Sequence, residues 1–271
     1  MTNNNICINI ESSNDNNLFP IVNLTTFGLY CCSCRADSAL SIQTPQGLVC
    51  VSQRLMNAIK IWEGCPSHPY VPGGQSGVTI GYGYDLGQQT PTSVQEKLTP
   101  YFTTAQISLF LQVVGLQGLA AHNALPIVSS ISIPHTFADQ AFLEHMHEFA
   151  LITAHAYPRM VYLHPDCQGA LLSLVFNRGI AFSVNNKGQQ GHPDFVADVH
   201  REQRNIRDLL ANGHVDLISN EFSSMKRIWL YDPLHKFTGL RARRDEEATY
   251  FKNGIDKHLV HLSGVQHPST S

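Results

Sequence analysis

Long apolar runs are missing from this 271-residue chain. No stretch approaches the ~18 consecutive apolar residues of a membrane-spanning helix, so no span is expected. The first residues combine neither a basic patch nor an unbroken apolar run, which leaves no ordinary signal peptide in view. Charge is scarce too. Only 14% of residues are Asp, Glu, Lys or Arg, and 18 basic against 21 acidic side chains give a formal net charge of −3. A chain with that balance advertises no general affinity for nucleic acid or other polyanions. Repeats are absent, and the nearest approach to low complexity is the asparagine-rich start, Asn3, Asn4, Asn5, Asn14, Asn16 and Asn17.

Metal-ligand spacing is also lacking, although the residue types are plentiful. Seven cysteines are present; Cys31, Cys32 and Cys34 crowd together, while Cys7, Cys50, Cys65 and Cys167 are scattered. The cluster has no fourth ligand at a sensible distance, so free or partly paired thiols are favoured over a metal site. Among 14 histidines, His145 and His147 stand two apart, on different faces of a helix, and His135 and His155 are no better placed. Neither a metal nor a cofactor is expected.

What the chain does have is 43% hydrophobic residues, enough to bury a substantial core in one domain with an appendage. Residues 1–50 read as a polar, cysteine-containing segment for delivery, docking or packing, with strand-forming residues at 21–30. Residues 51–254 read as the main domain and 255–271 as a loose tail. Beyond residue 100 the pattern is helical. Thr103 or Thr104 caps a helix through Ile107 and Phe110, Pro134 precedes another that Pro158 ends, and a third runs from Pro165 to Ile180. Further helices are expected at about 194–211, 215–230 and 238–252, the last ending near Gly254. The basic groups Arg201, Arg204, Arg207 and Arg241, Arg243, Arg244 read as solvated helix faces.

The most informative stretch lies earlier. Val51, Leu55, Ala58, Ile59 and Trp62 form one stripe of an amphipathic helix, which Gly64 and Pro66 stop. Glu63 therefore sits at a helix C-terminus, where the last carbonyls disfavour an added anion and Trp62 helps to exclude water; both suit a proton donor. Val78, Ile80, Tyr82 and Tyr84 then read as a strand, with Gly81 and Gly83 permitting close approach and Thr79 and Asp85 flanking it. Two carboxyls and a hydroxyl beside a groove are the inventory of a glycoside hydrolase. The same residues also fit plainer roles: Glu63 a solvated charge, Asp85 a turn residue, Thr79 a strand former. On the residues alone, both readings stand.

The pattern Glu63-Gly64, Tyr70, Thr79-Ile80-Gly81-Tyr82-Gly83 resembles the active-site segment of phage-type lysozymes, glycoside hydrolase family 24. Extended through Tyr84-Asp85-Leu86-Gly87, it is more similar still to the pesticin-like muramidase branch. Residues 171–179 are similar to the helix lining the far wall of that family's cleft, and residues 239–251 to its closing helix. The phage enzymes carry an Asp nine positions after the Glu; here that position is Pro72, and Asp85 matches the Asp of the pesticin-like branch instead.

The resemblance implies an α+β, lysozyme-like fold, with a mainly helical lobe and a small β element flanking the cleft. It implies Glu63 as general acid, Thr79 as the group holding the attacking water, and Asp85 as base or electrostatic partner. Tyr70, Tyr82, Asn177 and Arg178 are the candidate substrate contacts. The implied reaction is hydrolysis of the β-1,4 bond between N-acetylmuramic acid and N-acetylglucosamine in peptidoglycan. Inversion is expected if Thr79 holds water; carboxyls about 5–5.5 Å apart would instead mark a retaining enzyme. The expected biology is an antibacterial toxin, either a type VI secretion effector or a bacteriocin. Such a toxin is made in the cytoplasm, acts on the wall of a target bacterium as a monomer, and is neutralised by an immunity protein in its producer. A phage endolysin with the same chemistry and a non-catalytic wall-binding module are the alternatives.

Overall fold

The computed structural model describes residues 38–264. The strand expected at residues 21–30, the cysteines at 7, 31, 32 and 34, and residues 265–271 lie outside the described residues.

Strands β1 (Ser38–Thr44) and β2 (Gly47–Ser52) form an antiparallel hairpin that pairs Leu40 with Val51 and Ile42 with Val49. All four side chains are buried in the larger of two cores. The boundary expected at residue 50 thus falls inside a hairpin that belongs to this core. Helix α1 (Gln53–Glu63) follows without a loop: Ser52 Oγ accepts from Leu55 N–H, and Gly64, at φ +65°, closes the other end with its N–H on Lys60 O. Leu55, Ala58 and Ile59 form the buried stripe that the sequence predicts, joined by Met56. Val51 lies in the strand rather than the helix.

The second, smaller core is built around a short hairpin, β3 (Thr79–Ile80) and β4 (Tyr84–Asp85), pairing Thr79 with Asp85 and Ile80 with Tyr84. A single strand over this stretch is therefore not what forms. Gly81 at φ +58° and Gly83 at φ +106° adopt backbone conformations that L side chains avoid, and they turn the chain back on itself. Helices α2 (Pro91–Leu98), α3 (Thr104–Leu111) and α4 (Gly118–Ala124) enclose the hairpin. Thr90 and Thr103 each complete a capping box, the second at the position where the sequence predicts a cap.

Helix α5 (His135–Ala156) has 22 residues, about 33 Å at 1.5 Å per residue, and it joins the two cores. Phe137 and Ala141 pack with Val78, Ile80 and Leu86, whereas Phe142, Met146, Ala150 and Ala154 pack in the larger core. At the centre of that core lies α6 (Pro165–Arg178), buried continuously from Pro165 to Val175. A helix apolar or satisfied on every side needs neighbours on every side. Here they are the first hairpin, α1, α5, α7 (Arg201–Asn212), α8 (Ile218–Ser224) and α9 (Thr238–Gly264). The architecture is α+β, mainly helical with two small antiparallel β elements. No described helix is long and apolar enough to cross a membrane.

Two contacts fix α6. At its N-terminus the buried Asp166 carboxylate accepts from Ser52 Oγ at 2.6 Å and Arg54 Nε at 2.6 Å, with His164 Nδ1 at 3.1 Å. Burial pushes this carboxyl up, but the hydrogen bonds from His164, Arg54 and Ser52 outweigh it and hold the group well below the ordinary carboxylate value of 3.8. Further along, Gly254 of α9 crosses Cys167 so closely that a Cβ on Gly254 would lie 2.5 Å from Cys167 Sγ. That glycine is a crossing point and not a stop, which is why α9 continues to Gly264 past the end expected near Gly254.

Each contact yields a prediction. In an unobstructed helix Gly→Ala stabilises by about 1 kcal/mol, but Gly254→Ala is expected to destabilise by about 1–3 kcal/mol through overpacking, read by urea unfolding. Because Asp166 is depressed in the folded state, its contribution is complete above the unfolded carboxylate value and is lost as pH falls below about 4. Comparing urea unfolding of wild type and Asp166→Asn at neutral and acid pH checks this: the difference between them should shrink on acidification.

Candidate functional site

The candidate residues are divided between elements of the two cores. Glu63 is the last residue of α1, with its side chain 26% exposed. The sequence suggests an acid shielded from water at a helix end, but the structure adds a cation: Arg243 Nη1 of α9 donates to Glu63 Oε1 at 2.5 Å. Arg243 is itself buried and saturated on its other sides. Its Nε donates to Glu247 Oε1 at 3.2 Å and Ser173 Oγ at 3.3 Å, and its Nη2 to Ser173 O at 3.1 Å and Oγ at 3.0 Å. Trp62 lies under the guanidinium, 5.1 Å from ring centroid to Cζ. The Trp62 Nε1–H donates to Glu246 Oε2 at 3.2 Å, and its ring meets Tyr250 edge-on. The side of Arg243 that remains is turned to Glu63.

Thr79 and Asp85 come together as a cross-strand pair. Tyr70 extends this arrangement by exchanging backbone hydrogen bonds with Thr79, at 2.7 and 3.0 Å. Thr79 is buried, and its Oγ1–H donates to Gly77 O at 3.2 Å, which leaves the oxygen lone pairs as acceptors. Asp85 is more constrained than the sequence suggests. Its Oδ1 accepts from Gly77 N–H at 3.1 Å and Gly87 N–H at 2.8 Å, and its Oδ2 from Gly77 N–H at 3.2 Å. A Cβ at Gly77 would fall 2.4 Å from Asp85 Oδ1, so the glycine gives the carboxylate its space. The turn-residue reading of Asp85 is thus satisfied geometrically.

Burial pushes the Tyr70 phenol up, and the charges of Glu63, Cys65 and Asp85 add to the effect. Tyr82 packs on Phe142 at 5.1 Å between centroids with Lys60 Nζ 5.9 Å from its ring centroid, and burial pushes its phenol up. Lys60 in turn pairs with Asp139 of α5 at 2.6 Å. Tyr82 therefore belongs to a polar seam between α1 and α5.

The two candidates on α6 are engaged inside the fold. Asn177 Oδ1 accepts from Arg244 Nη2 at 3.3 Å. Arg178 donates to Val199 O at 2.8 Å and lies over the Trp229 ring at 5.1 Å, and burial lowers its basicity. The guanidinium of Arg178 is thus turned toward the segment before α7 and the residues before α9, where it meets a carbonyl and an indole while its Nε is buried without a hydrogen-bond partner.

Sequence reasoning missed the group that holds Glu63. Arg243 and Arg244, expected on a solvated face, are 3% and 0% exposed. Burial pushes Arg244 down to about 10. Arg243 and Arg244 are ion-paired to the buried Glu247, four and three residues ahead. The signal was the spacing itself: an acid at i+3 and i+4 from adjacent arginines is a helical ion-pair pattern, but spacing cannot say whether the pattern faces water or a core. Cys50, Cys65 and Cys167 are free thiols, and among the described residues no cluster of three or more His, Cys, Asp or Glu side chains is placed to hold a metal ion.

The fold is that of a mainly helical α+β protein, with a partly exposed carboxyl anchored by a buried arginine. A family described as "Domain of unknown function (DUF8812)" matches residues 66–154, a segment that contains Tyr70, Thr79 and Asp85 but neither Glu63 nor Arg243. No curated protein matches the chain. Among solved structures, one titled "Crystal structure of active form of P1 phage endolysin Lyz" is similar over 84% of this chain and 94% of that one, at 15% identity and a TM-score of 0.40.

The geometry around Asp85 makes a stability prediction. Asp85→Ala removes the acceptors for two backbone N–H groups and should cost roughly 1–3 kcal/mol, whereas Asp85→Asn keeps one oxygen and should cost about 1 kcal/mol. Urea unfolding of the two variants orders them; equal and negligible costs would mean that the carboxylate does not hold the turn.

Proposed function

We propose that the chain is a peptidoglycan hydrolase of lysozyme-like fold, cleaving the β-1,4 bond between N-acetylmuramic acid and N-acetylglucosamine. The observation that carries the reading is the placement of Glu63. It ends α1 with its side chain partly open to solvent and paired with the buried Arg243. Glu63 is assigned as the general acid that protonates the leaving sugar oxygen. The sequence resemblance of residues 63–87 to pesticin-like muramidases supports the assignment.

Thr79, with its hydroxyl hydrogen already committed to Gly77 O, is assigned as an acceptor for one hydrogen of an attacking water. Since Thr79 is buried, that water is an enclosed one. Asp85, held by backbone N–H groups, is assigned an electrostatic role and not that of a nucleophile, which fits inversion at the anomeric carbon. Tyr70 is the best-placed of the candidate substrate contacts. Delivery as an antibacterial toxin, with an immunity protein in the producer and action in the wall of a target bacterium, completes the proposal.

Digestion of purified peptidoglycan, with soluble products reduced and identified by mass spectrometry, tests this reading. Wild type should release muropeptides ending in reduced N-acetylmuramic acid. Glu63→Gln, of the same shape but unable to donate the proton, should stay folded and release none, and Asp85→Asn should lose most activity. Normal lysis by folded Glu63→Gln would overturn the assignment, and full activity of Asp85→Asn would leave Asp85 a turn residue only. Intact wall with the protein sedimenting onto it would mean binding without turnover.

A further inference from the structure

Glu63 is the outermost member of a charged group whose other members are wholly internal. Arg243, Arg244 and Glu247 are 3%, 0% and 0% exposed, so two buried cations face one buried anion, with Arg178 acting on Arg244 and Glu247 at longer range. Glu247 Oε1 is the hub: it accepts from Ser173 Oγ at 2.5 Å, Arg244 Nη2 at 2.8 Å and Arg243 Nε at 3.2 Å. Its Oε2 is buried without a hydrogen-bond partner, so this carboxylate is not maximally stabilised as a structural salt bridge would be.

We propose that Glu247 is a positioning residue for the reaction proposed above, on which this inference rests: it aims Arg243 at Glu63 and supplies the internal negative charge that allows Glu63 to take up and release a proton. A general acid must exist in both protonation states during turnover. With Glu247 ionised, protonating Glu63 leaves one uncompensated buried positive charge. Without that charge, protonating Glu63 would leave two, in an interior where unpaired ions cost several kcal/mol each. The groups that face Glu63 fit this arithmetic. Arg243 contacts it from α9 with Arg244 at longer range, and Tyr70, reached also by Cys65 and Asp85, faces it from the smaller core. Glu247 is thus the anion buried against the same two guanidiniums that act on Glu63. Arg244, though burial pushes it down to about 10, keeps its charge at neutral pH.

The test uses full-length Glu247→Gln and Arg244→Gln with two readouts, the pH profile of peptidoglycan solubilisation and the carboxyl-carbon NMR titration of Glu63, assigned by its loss in Glu63→Gln. Glu247→Gln should move the Glu63 titration and the alkaline limb of the profile to lower pH by roughly one unit, with the neutral-pH rate down about tenfold. Arg244→Gln should move both the other way, and Glu247→Asp should return them toward wild type. Each folded variant tests the idea alone, so failure of one to fold does not remove the test. A purely structural Glu247 predicts lower thermal stability with the Glu63 titration unmoved in both variants, and that result would overturn the proposal. Should wild type release nothing from peptidoglycan, the muramidase reading falls, and the NMR titration alone decides whether Glu247 acts on Glu63.

Discussion

Arg243 is buried beneath an indole and fixed on its remaining sides, and much of the larger core is arranged to keep it so. Taking a guanidinium out of water is costly unless every N–H finds an acceptor and an anion lies close by. The acceptors come from α6 through Ser173, the anion from α9 through Glu247, and the apolar cover from α1 through Trp62. Three helices from the beginning, middle and end of the chain must therefore be in register before Glu63 has a fixed orientation. The closeness of α9 to α6, made possible by the missing side chain at Gly254, is part of the same requirement, because a wider crossing would withdraw Arg243 from Ser173.

The smaller core answers to a different constraint. Its hairpin is only two residues long on each strand, too short to be stable by pairing alone. The Asp85 carboxylate compensates by tying Gly77 and Gly87 together, and Tyr70 adds a third extended segment through its backbone exchange with Thr79. Helix α5 carries this unit against the larger core, with Lys60 and Asp139 pairing across the seam. Thr79 and Asp85 thus sit on one core and Glu63 on the helix of the other, and a single continuous helix packs in both.

What could be read from the sequence was local in origin. The α1 stripe, its stop at Gly64 and the Thr103 cap follow from side-chain periodicity and backbone preferences within a few residues, and they appear in the structure where the pattern puts them. The α+β class follows as well, since a long helical remainder after a glycine-punctuated β segment leaves little else. The misreadings have one cause. Gly81 and Gly83 within a strand pattern signal either close approach or reversal, and only the pairing of Thr79 with Asp85 decides for reversal. Gly254 near a helix end reads as a cap, and only the presence of Cys167 across from it explains a continuing helix. Arg178 is a candidate substrate contact through the resemblance of its helix, and Val199 and Trp229, which it contacts, lie some 20 to 50 residues away, beyond the reach of local sequence pattern.

Glu63 shows how far a local argument can be displaced by a distant one. The helix-end carbonyls and the neighbouring indole both act against a carboxylate, and both are present. Yet Trp62 covers the face of Arg243, so the indole excludes water from the cation as well as from the acid, and a dehydrated cation at hydrogen-bond distance interacts more strongly than one in water. The Arg243 contact therefore fixes where the Glu63 carboxyl points, and Glu247, which holds the same guanidinium from its other side, fixes it in turn from within the core.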